Sequence, residues 1–161
     1  QYSFDNAAGQ KVSNDDVVVE NPKITDLQVK LLNDNIISPD QDISFEISYN
    51  VNEDIETYIA FSLTDIDRGI WIYNDNSMDN KTSGSGRKTL TYKCSLAHLN
   101  NIKLKLQVSV RDKDDQMIAF ADSDNSPVIL LNRTDIEDDD KSAKDSATGM
   151  VQRNGKWEIQ E

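Results

Sequence analysis

The sequence predicts an all-β protein, an antiparallel β-sandwich, and three observations carry that expectation. Between residues 24 and 131 apolar and polar residues alternate in about seven short runs, the period of strands with one buried face. Clusters of Pro, Gly, Asn, Asp and Ser separate these runs at roughly 8–12-residue intervals, the spacing typical of sandwiches. Helical periodicity is absent, apart from one turn suggested at Ser95–Leu99.

The elements follow in order. Residues 1–22 are polar and read as a linker, with Val17–Val19 suited to a short edge strand. In the first strand, Ile24–Leu32, Leu27, Val29 and Leu31 share a face. Ser38–Asp42 is a turn built on Pro39 and on side chains that bond their own backbone. Ile43–Val51 is the cleanest strand, with Ile43, Phe45, Ile47, Tyr49 and Val51 on one side. Thr57–Thr64 and Gly69–Asn74 follow, then a long polar loop over 74–86. Lys88–Cys94 alternates, and Asn101–Arg111 alternates strictly along its whole length. Asp112–Gln116 connects it to Met117–Ala121, and Asp122–Pro127 turns into Val128–Leu131. The sandwich therefore occupies 23–132. Residues 133–148 are acidic and small and read as a flexible linker. Residues 149–161 recover a strand pattern. There Asn154-Gly155 is a type I′ turn signal between Met150 and Val151 on one side and Trp157 and Ile159 on the other. Such an end completes its own sandwich or a neighbouring copy's.

Composition narrows the function. The chain has 161 residues, is 37% hydrophobic and carries a formal net charge of −12. That suits one domain with tails. The charge argues against nucleic acid as a partner and against unaided attachment to an anionic membrane surface, since both need a basic face. The longest apolar run, Val128–Leu131, falls far short of the roughly 20 residues of a membrane-spanning helix. Cys94 is the only cysteine, so no internal disulfide forms, and it reads as a small buried hydrophobe. Two sequons, Asn80–Thr82 and Asn132–Thr134, read as chance matches. The start at Gln1, with neither Met nor an apolar signal, reads as a fragment of a longer or processed protein.

Catalytic patterns are thin. His98 is the only histidine, and it lies in a Leu-Ala-His-Leu turn, so a nucleophile triad has little to build on. Walker loops, dinucleotide fingerprints and zinc-ligand spacings are absent, and no cofactor is expected. The acidic turns Asp112–Asp115, Asp122–Asn125 and Asp135–Asp140 offer oxygen ligands, but none has EF-hand spacing or its glycine, and no metal site is expected.

The candidate site comes from strand faces. With Ile59, Phe61 and Leu63 inward, and Ile70 and Ile72 inward on the next strand, Trp71 and Tyr73 point outward with Tyr58 near them. Exposed aromatics among Asn and Asp suit the stacking of a sugar ring, with Asn74 and Asp75 bonding hydroxyls. The other reading is that a helix, a loop or a second subunit covers them. On Asn101–Arg111, Ile102, Leu104, Leu106, Val108 and Val110 point inward, leaving Lys103, Lys105, Gln107, Ser109 and Arg111 outward. This row reads either as a solvated strand face or, with the aromatic face, as a groove. There Arg111, Lys105 and Gln107 would take a carboxylate or further hydroxyls.

The order of these pieces resembles the C-terminal domain of Wzt-type proteins, the ATPase subunits of O-antigen polysaccharide exporters. The resemblance runs through Ile24–Leu32, Ile43–Tyr49, the strand and Asn-containing loop Gly69–Asn76, and the glycine-led closing segment Gly149–Trp157. It departs before the first strand, where Asn21-Pro-Lys23 stands in place of a glycine-containing approach. The resemblance implies an immunoglobulin-like sandwich without catalytic activity that binds the modified non-reducing end of a lipid-linked O-polysaccharide. It further implies a homodimer formed by exchange of the last strand, and an ATPase domain ahead of residue 1. Through that ATPase domain the protein would meet the exporter's transmembrane subunit at the cytoplasmic face of the inner membrane. By location only, the sugar site carries over to Trp71–Asn76 and its neighbours. Two other readings stay open: a protein-interaction or adhesion sandwich, and a calcium-dependent module of a secreted enzyme.

Overall fold

The computed structural model describes residues 21–160, so the strand expected at Val17–Val19 and most of the expected leader lie outside the described residues. Ten strands and one short helix follow in the order β1 (Ile24–Leu31), β2 (Ile36–Ile37), β3 (Ile43–Val51), β4 (Glu56–Asp65), β5 (Ile70–Asn76), β6 (Thr82–Ser83), β7 (Gly86–Cys94), β8 (Ile102–Asp112), β9 (Met117–Phe120), β10 (Val128–Leu131) and α1 (Lys141–Ser146). They build two sheets. One is seven-stranded, in the order β2-β10-β8-β4-β5, with β9 also on β8 and β6 also on β4; the other is β1-β3-β7. Every pairing is antiparallel except that of β10 with β2.

The all-β sandwich is therefore the fold, and its strict alternators make the core. On β3, Ile43, Phe45, Ile47, Tyr49 and Val51 are buried, and on β8 so are Ile102, Leu104, Leu106, Val108 and Val110. Between the sheets an aromatic cluster ties four strands together. Phe45 of β3 meets Phe61 of β4 edge-on at 5.1 Å, and Tyr92 of β7 lies 4.8 Å from Phe61. Such edge-to-face pairs each add about 0.5–1.5 kcal/mol beyond the area they bury.

Three regions differ from the sequence expectation. The loop expected over 74–86 is shorter, because β5 continues to Asn76 and β6 adds a two-residue pairing to β4. Beyond the sandwich, the stretch expected as a flexible linker at 133–148 contains α1, whose first turn is capped by Asp140 accepting from the Ala143 N–H. The hairpin expected around Asn154-Gly155 is not formed. Among the described residues a single β-bridge, Leu99 with Val151, pairs this end with the sandwich, and Trp157 and Ile159 are 95% and 80% exposed. A local turn signal cannot hold a two-stranded hairpin in water without a third strand or a core to cover it.

A buried amide fixes where this end departs. Asn100 is fully buried, and its Nδ2 donates to the carbonyls of Gly149 (2.8 Å) and Val151 (3.2 Å). Its Oδ1 accepts from Arg133 Nη1 at 2.9 Å. Asn100→Ala strips a partner from one cation and two carbonyls at once. It is expected to cost about 2–3 kcal/mol in urea unfolding and to speed amide exchange at 149–152 selectively.

Candidate functional site

The outer face of the larger sheet is built by cross-strand rows. Thr64 of β4 stands between Trp71 of β5 and Lys105 of β8, and Val128 of β10 continues that row. In the next row Ser62 stands between Asn74 and Gln107, and in the one after it Ala60 stands between Asn76 and Ser109. Trp71 is 69% exposed, and Asn74, Asn76 and Lys103 are exposed as well. Thr64 Oγ1 donates to Gln107 Oε1 at 3.3 Å, so the middle of the face is a short hydroxyl–amide ladder. With strands about 4.8 Å apart, Trp71 and Lys105 stand roughly 10 Å apart at the backbone, room for one pyranose and a substituent.

The face is thus Trp71, Asn74, Gln107 and Lys105, and a bulge explains why Tyr73 is not part of it. The register slips between Leu63 and Thr64, which pair with Tyr73 and Trp71, so Ile72 is an extra residue on β5. An extra residue reverses the alternation beyond it. Tyr73 and Asp75 therefore turn inward, while Asn74 joins Trp71 outside. Tyr73 stacks on Phe61 at 6.1 Å, and its hydroxyl bonds that of Tyr92 at 2.6 Å. Tyr92 in turn donates to the Asp75 carboxylate. Burial, together with the bond to Asp75, holds the Tyr92 hydroxyl far above its ordinary range. These three residues close the gap between the sheet edges β5 and β7. Beside them is a small apolar cavity of about 70 Å³ lined by Phe45, Phe61, Leu90 and Tyr92, space for a few waters.

Tyr58 and Arg111 face each other across β4 and β8 at the far end of the same sheet. Six residues separate Tyr58 from Thr64, roughly 20 Å of strand, so neither reaches a sugar stacked on Trp71. Tyr58 is 2% exposed rather than bordering a groove, because Asp115 folds over it and accepts its hydroxyl at 2.8 Å. Burial and then that bond raise its pKa.

Trp71 is presented by a turn that the sequence reading passed over. Asp65, 1% exposed, ends β4; its Oδ1 accepts the N–H groups of Asp67 (2.9 Å) and Arg68 (3.0 Å). Its Oδ2 takes Arg68 Nη1 at 2.7 Å. Gly69, at φ +67°, supplies the left-handed residue that returns the chain into β5. Burial raises the Asp65 pKa, but the Arg68 guanidinium and the two N–H groups outweigh it and hold the carboxyl below its ordinary value. The signal was present in Thr64-Asp-Ile-Asp-Arg-Gly69, an acidic turn with a following glycine.

Among the described residues there is no group of three or more His, Cys, Asp or Glu able to hold a metal ion. No described helix is long and apolar enough to cross a membrane. His98 is exposed, and its backbone carbonyl accepts from the Gln152 N–H.

Fold and site together define a β-sandwich with one open, polar, tryptophan-bearing sheet face. Its fold is that of the C-terminal domain of Wzt, with 9% sequence identity and a TM-score of 0.54 over 87% of this chain and 86% of that one. Two further solved structures are more distant. Alkylpurine DNA glycosylase AlkC of Pseudomonas fluorescens, bound to DNA containing an abasic site analog, has 9% identity and a TM-score of 0.43 over 68% of this chain and 30% of its own. The CARDB domain of a Pyrococcus furiosus protein, in complex with di-metal ions, has 11% identity and a TM-score of 0.40 over 71% and 97%. At those scores neither bears on the site. No protein-family model and no curated protein matches the chain.

Proposed function

We propose that this chain is a non-catalytic carbohydrate-binding domain whose outer sheet face takes a sugar against Trp71. The observation that carries the reading is the convergence of Trp71 and Asn74 of β5 with Gln107 and Lys105 of β8, across Thr64 and Ser62 of β4, on one outer face. An indole presents the apolar plane that the C–H face of a pyranose needs. The amides and the Thr64 and Ser62 hydroxyls provide donors and acceptors for its hydroxyls. The fold of the Wzt C-terminal domain supports the finer reading. On it, the ligand is the modified non-reducing end of a lipid-linked O-polysaccharide, presented for export by an ATP-driven transporter at the cytoplasmic side of the inner membrane. Residues 1–22 would then lead from an ATPase domain that meets the transmembrane subunit.

The same reading gives the last segment a use. Trp157 and Ile159 are exposed two residues apart, as on one face of a strand, and β7 ends the smaller sheet with one side unpaired. In a homodimer this segment adds to the partner's sandwich. Removal of residues 153–161 is then expected to convert a dimer to a folded monomer by light scattering; an unchanged mass would contradict the exchange.

Calorimetric titration with the source strain's full-length O-polysaccharide, beside a sample lacking its terminal modification, tests the function. Binding that requires the modification is expected. A well-folded protein that binds neither would instead favour a protein-interaction module. The exposed apolar row of Met117, Phe120 and Val128 on the same face would then be its contact.

A further inference from the structure

We infer that Asn154-Gly155 is a site of spontaneous covalent modification, at which the Asn154 side-chain amide is lost as ammonia and the main chain is rerouted as isoaspartate. The site follows from the chemistry and setting of these two residues; only its effect on assembly rests on the homodimer reading.

The reaction needs a backbone N–H free to turn onto the asparagine side chain before it. The Gly155 nitrogen, losing its proton, attacks Asn154 Cγ. A C–N bond forms, the bond from Cγ to Nδ2 breaks, and the displaced nitrogen takes up a proton and leaves as ammonia. Water then opens the cyclic imide. Opening at Cγ gives aspartate and opening at the backbone carbonyl gives isoaspartate, with no change of oxidation state. A following glycine favours closure, because no Cβ crowds the nitrogen and the backbone turns freely. Of the six glycines, Gly155 alone follows an asparagine.

The structure separates this pair from the other described asparagines that precede a small residue. After Asn76, the Ser77 N–H donates to the Ile59 carbonyl at 2.9 Å, and Asn76 Oδ1 accepts from the Met78 N–H. After Asn125, the Ser126 N–H donates to the Ser123 carbonyl, while the Asn125 side chain bonds the Val29 N–H and the Asp122 carboxylate. Among the described residues, neither the Asn154 side chain nor the Gly155 N–H has a hydrogen-bond partner, and both residues are exposed. A Cβ built at Gly155 would meet nothing within 4 Å, so space for the imide is open. The chain is anchored just before the pair, where the Gln152 N–H donates to the His98 carbonyl at 2.7 Å and Arg153 Nη1 donates to Ser142 Oγ at 2.8 Å. Isoaspartate adds one carbon to the main chain and a carboxylate between Arg153 and Lys156. On the homodimer reading, Trp157 and Ile159 then lose their register against the partner's sandwich.

The test ages the full chain for days in neutral and in mildly alkaline buffer, followed by peptide mapping in a mass spectrometer, with isoaspartate scored by enzymatic methylation of its carboxylate. Asn154 is expected to convert at least about tenfold faster than Asn76 or Asn125, whose neighbouring N–H groups must first open. Conversion is expected to be faster at the higher pH and to give mainly isoaspartate. Gly155→Ala, which the open space tolerates, is expected to slow it about tenfold, and Asn154→Gln to stop it on that timescale. In light scattering the converted chain is expected to be monomeric, while Asn154→Asp, with the charge but not the added carbon, stays dimeric. Conversion of Asn154 no faster than that of Asn76 and Asn125, or a rate that Gly155→Ala leaves unchanged, overturns the site. A fully converted chain that stays dimeric overturns the effect on assembly. A parent chain that is monomeric from the start overturns the exchange itself, and the peptide map still decides the site.

Discussion

Trp71→Ala is expected to weaken glycan binding by about 2 kcal/mol, roughly thirtyfold, while leaving urea unfolding within about 0.5 kcal/mol of the parent. The separation of the two effects follows from exposure. Trp71 is 69% exposed and pairs outward with Thr64, so its ring contributes little to the core. Tyr73, two residues on, should behave in the opposite way. Its ring stacks on Phe61 and its hydroxyl bonds Tyr92, so truncation there lowers stability first and affects binding only as the hairpin loosens. A pair of alanine variants measured by both titration and unfolding reads the bulge directly. Equal losses of stability at 71 and 73 would mean that the two side chains share a face after all.

Asp65→Ala carries the second large effect, on stability. The carboxylate is 1% exposed and holds two backbone N–H groups and a guanidinium. Removing it leaves Arg68 without its counter-charge and opens the turn into β5, at a cost of about 2–4 kcal/mol. The sign of its pH dependence is fixed by the direction of the shift. The folded-state pKa of Asp65 lies below its unfolded value, so its stabilising share is fully present above the unfolded pKa near 3.9. That share is lost as pH falls through the folded value. Unfolding followed from pH 7 downward is expected to show this acid-side loss in the parent and a shallower one in Asp65→Asn. Parallel acid limbs would show that the carboxylate's charge is not what holds the turn. Because the same turn presents Trp71, Asp65→Ala should also weaken glycan binding in the fraction that remains folded.

The contrast between these two positions shows what the sequence makes visible. Strict alternation on Ile43–Val51 and Asn101–Arg111 reports a buried face directly, and both strands lie where the pattern puts them. The outward position of Trp71 and of the Lys103–Gln107 row is legible for the same reason. That the two rows adjoin is not, because β4, β5 and β8 are brought together by pairings that no local pattern encodes. Tyr73 and Asp75 were misplaced because a one-residue bulge inverts every face beyond it and leaves the composition untouched. Tyr58 sits on the outer side as its spacing implies, yet it is covered by the distant Asp112–Gln116 turn through Asp115, a tertiary contact. At the end of the chain, Asn154-Gly155 is a strong turn signal, but Met150 packs on the core and Val151 bridges Leu99, while Trp157 and Ile159 stay exposed, so the two flanks do not pair as a hairpin.

The most direct test of the central claim is to map where a bound glycan touches the chain. The isotope-labelled protein is titrated with the terminally modified O-polysaccharide, and perturbed amides are assigned strand by strand. Perturbations centred on Trp71, Asn74, Gln107 and Lys105, with β1, β3 and β7 silent, are the predicted result. Perturbations confined to the smaller sheet or to Met117, Phe120 and Val128, with the Trp71 indole unmoved, would contradict the account.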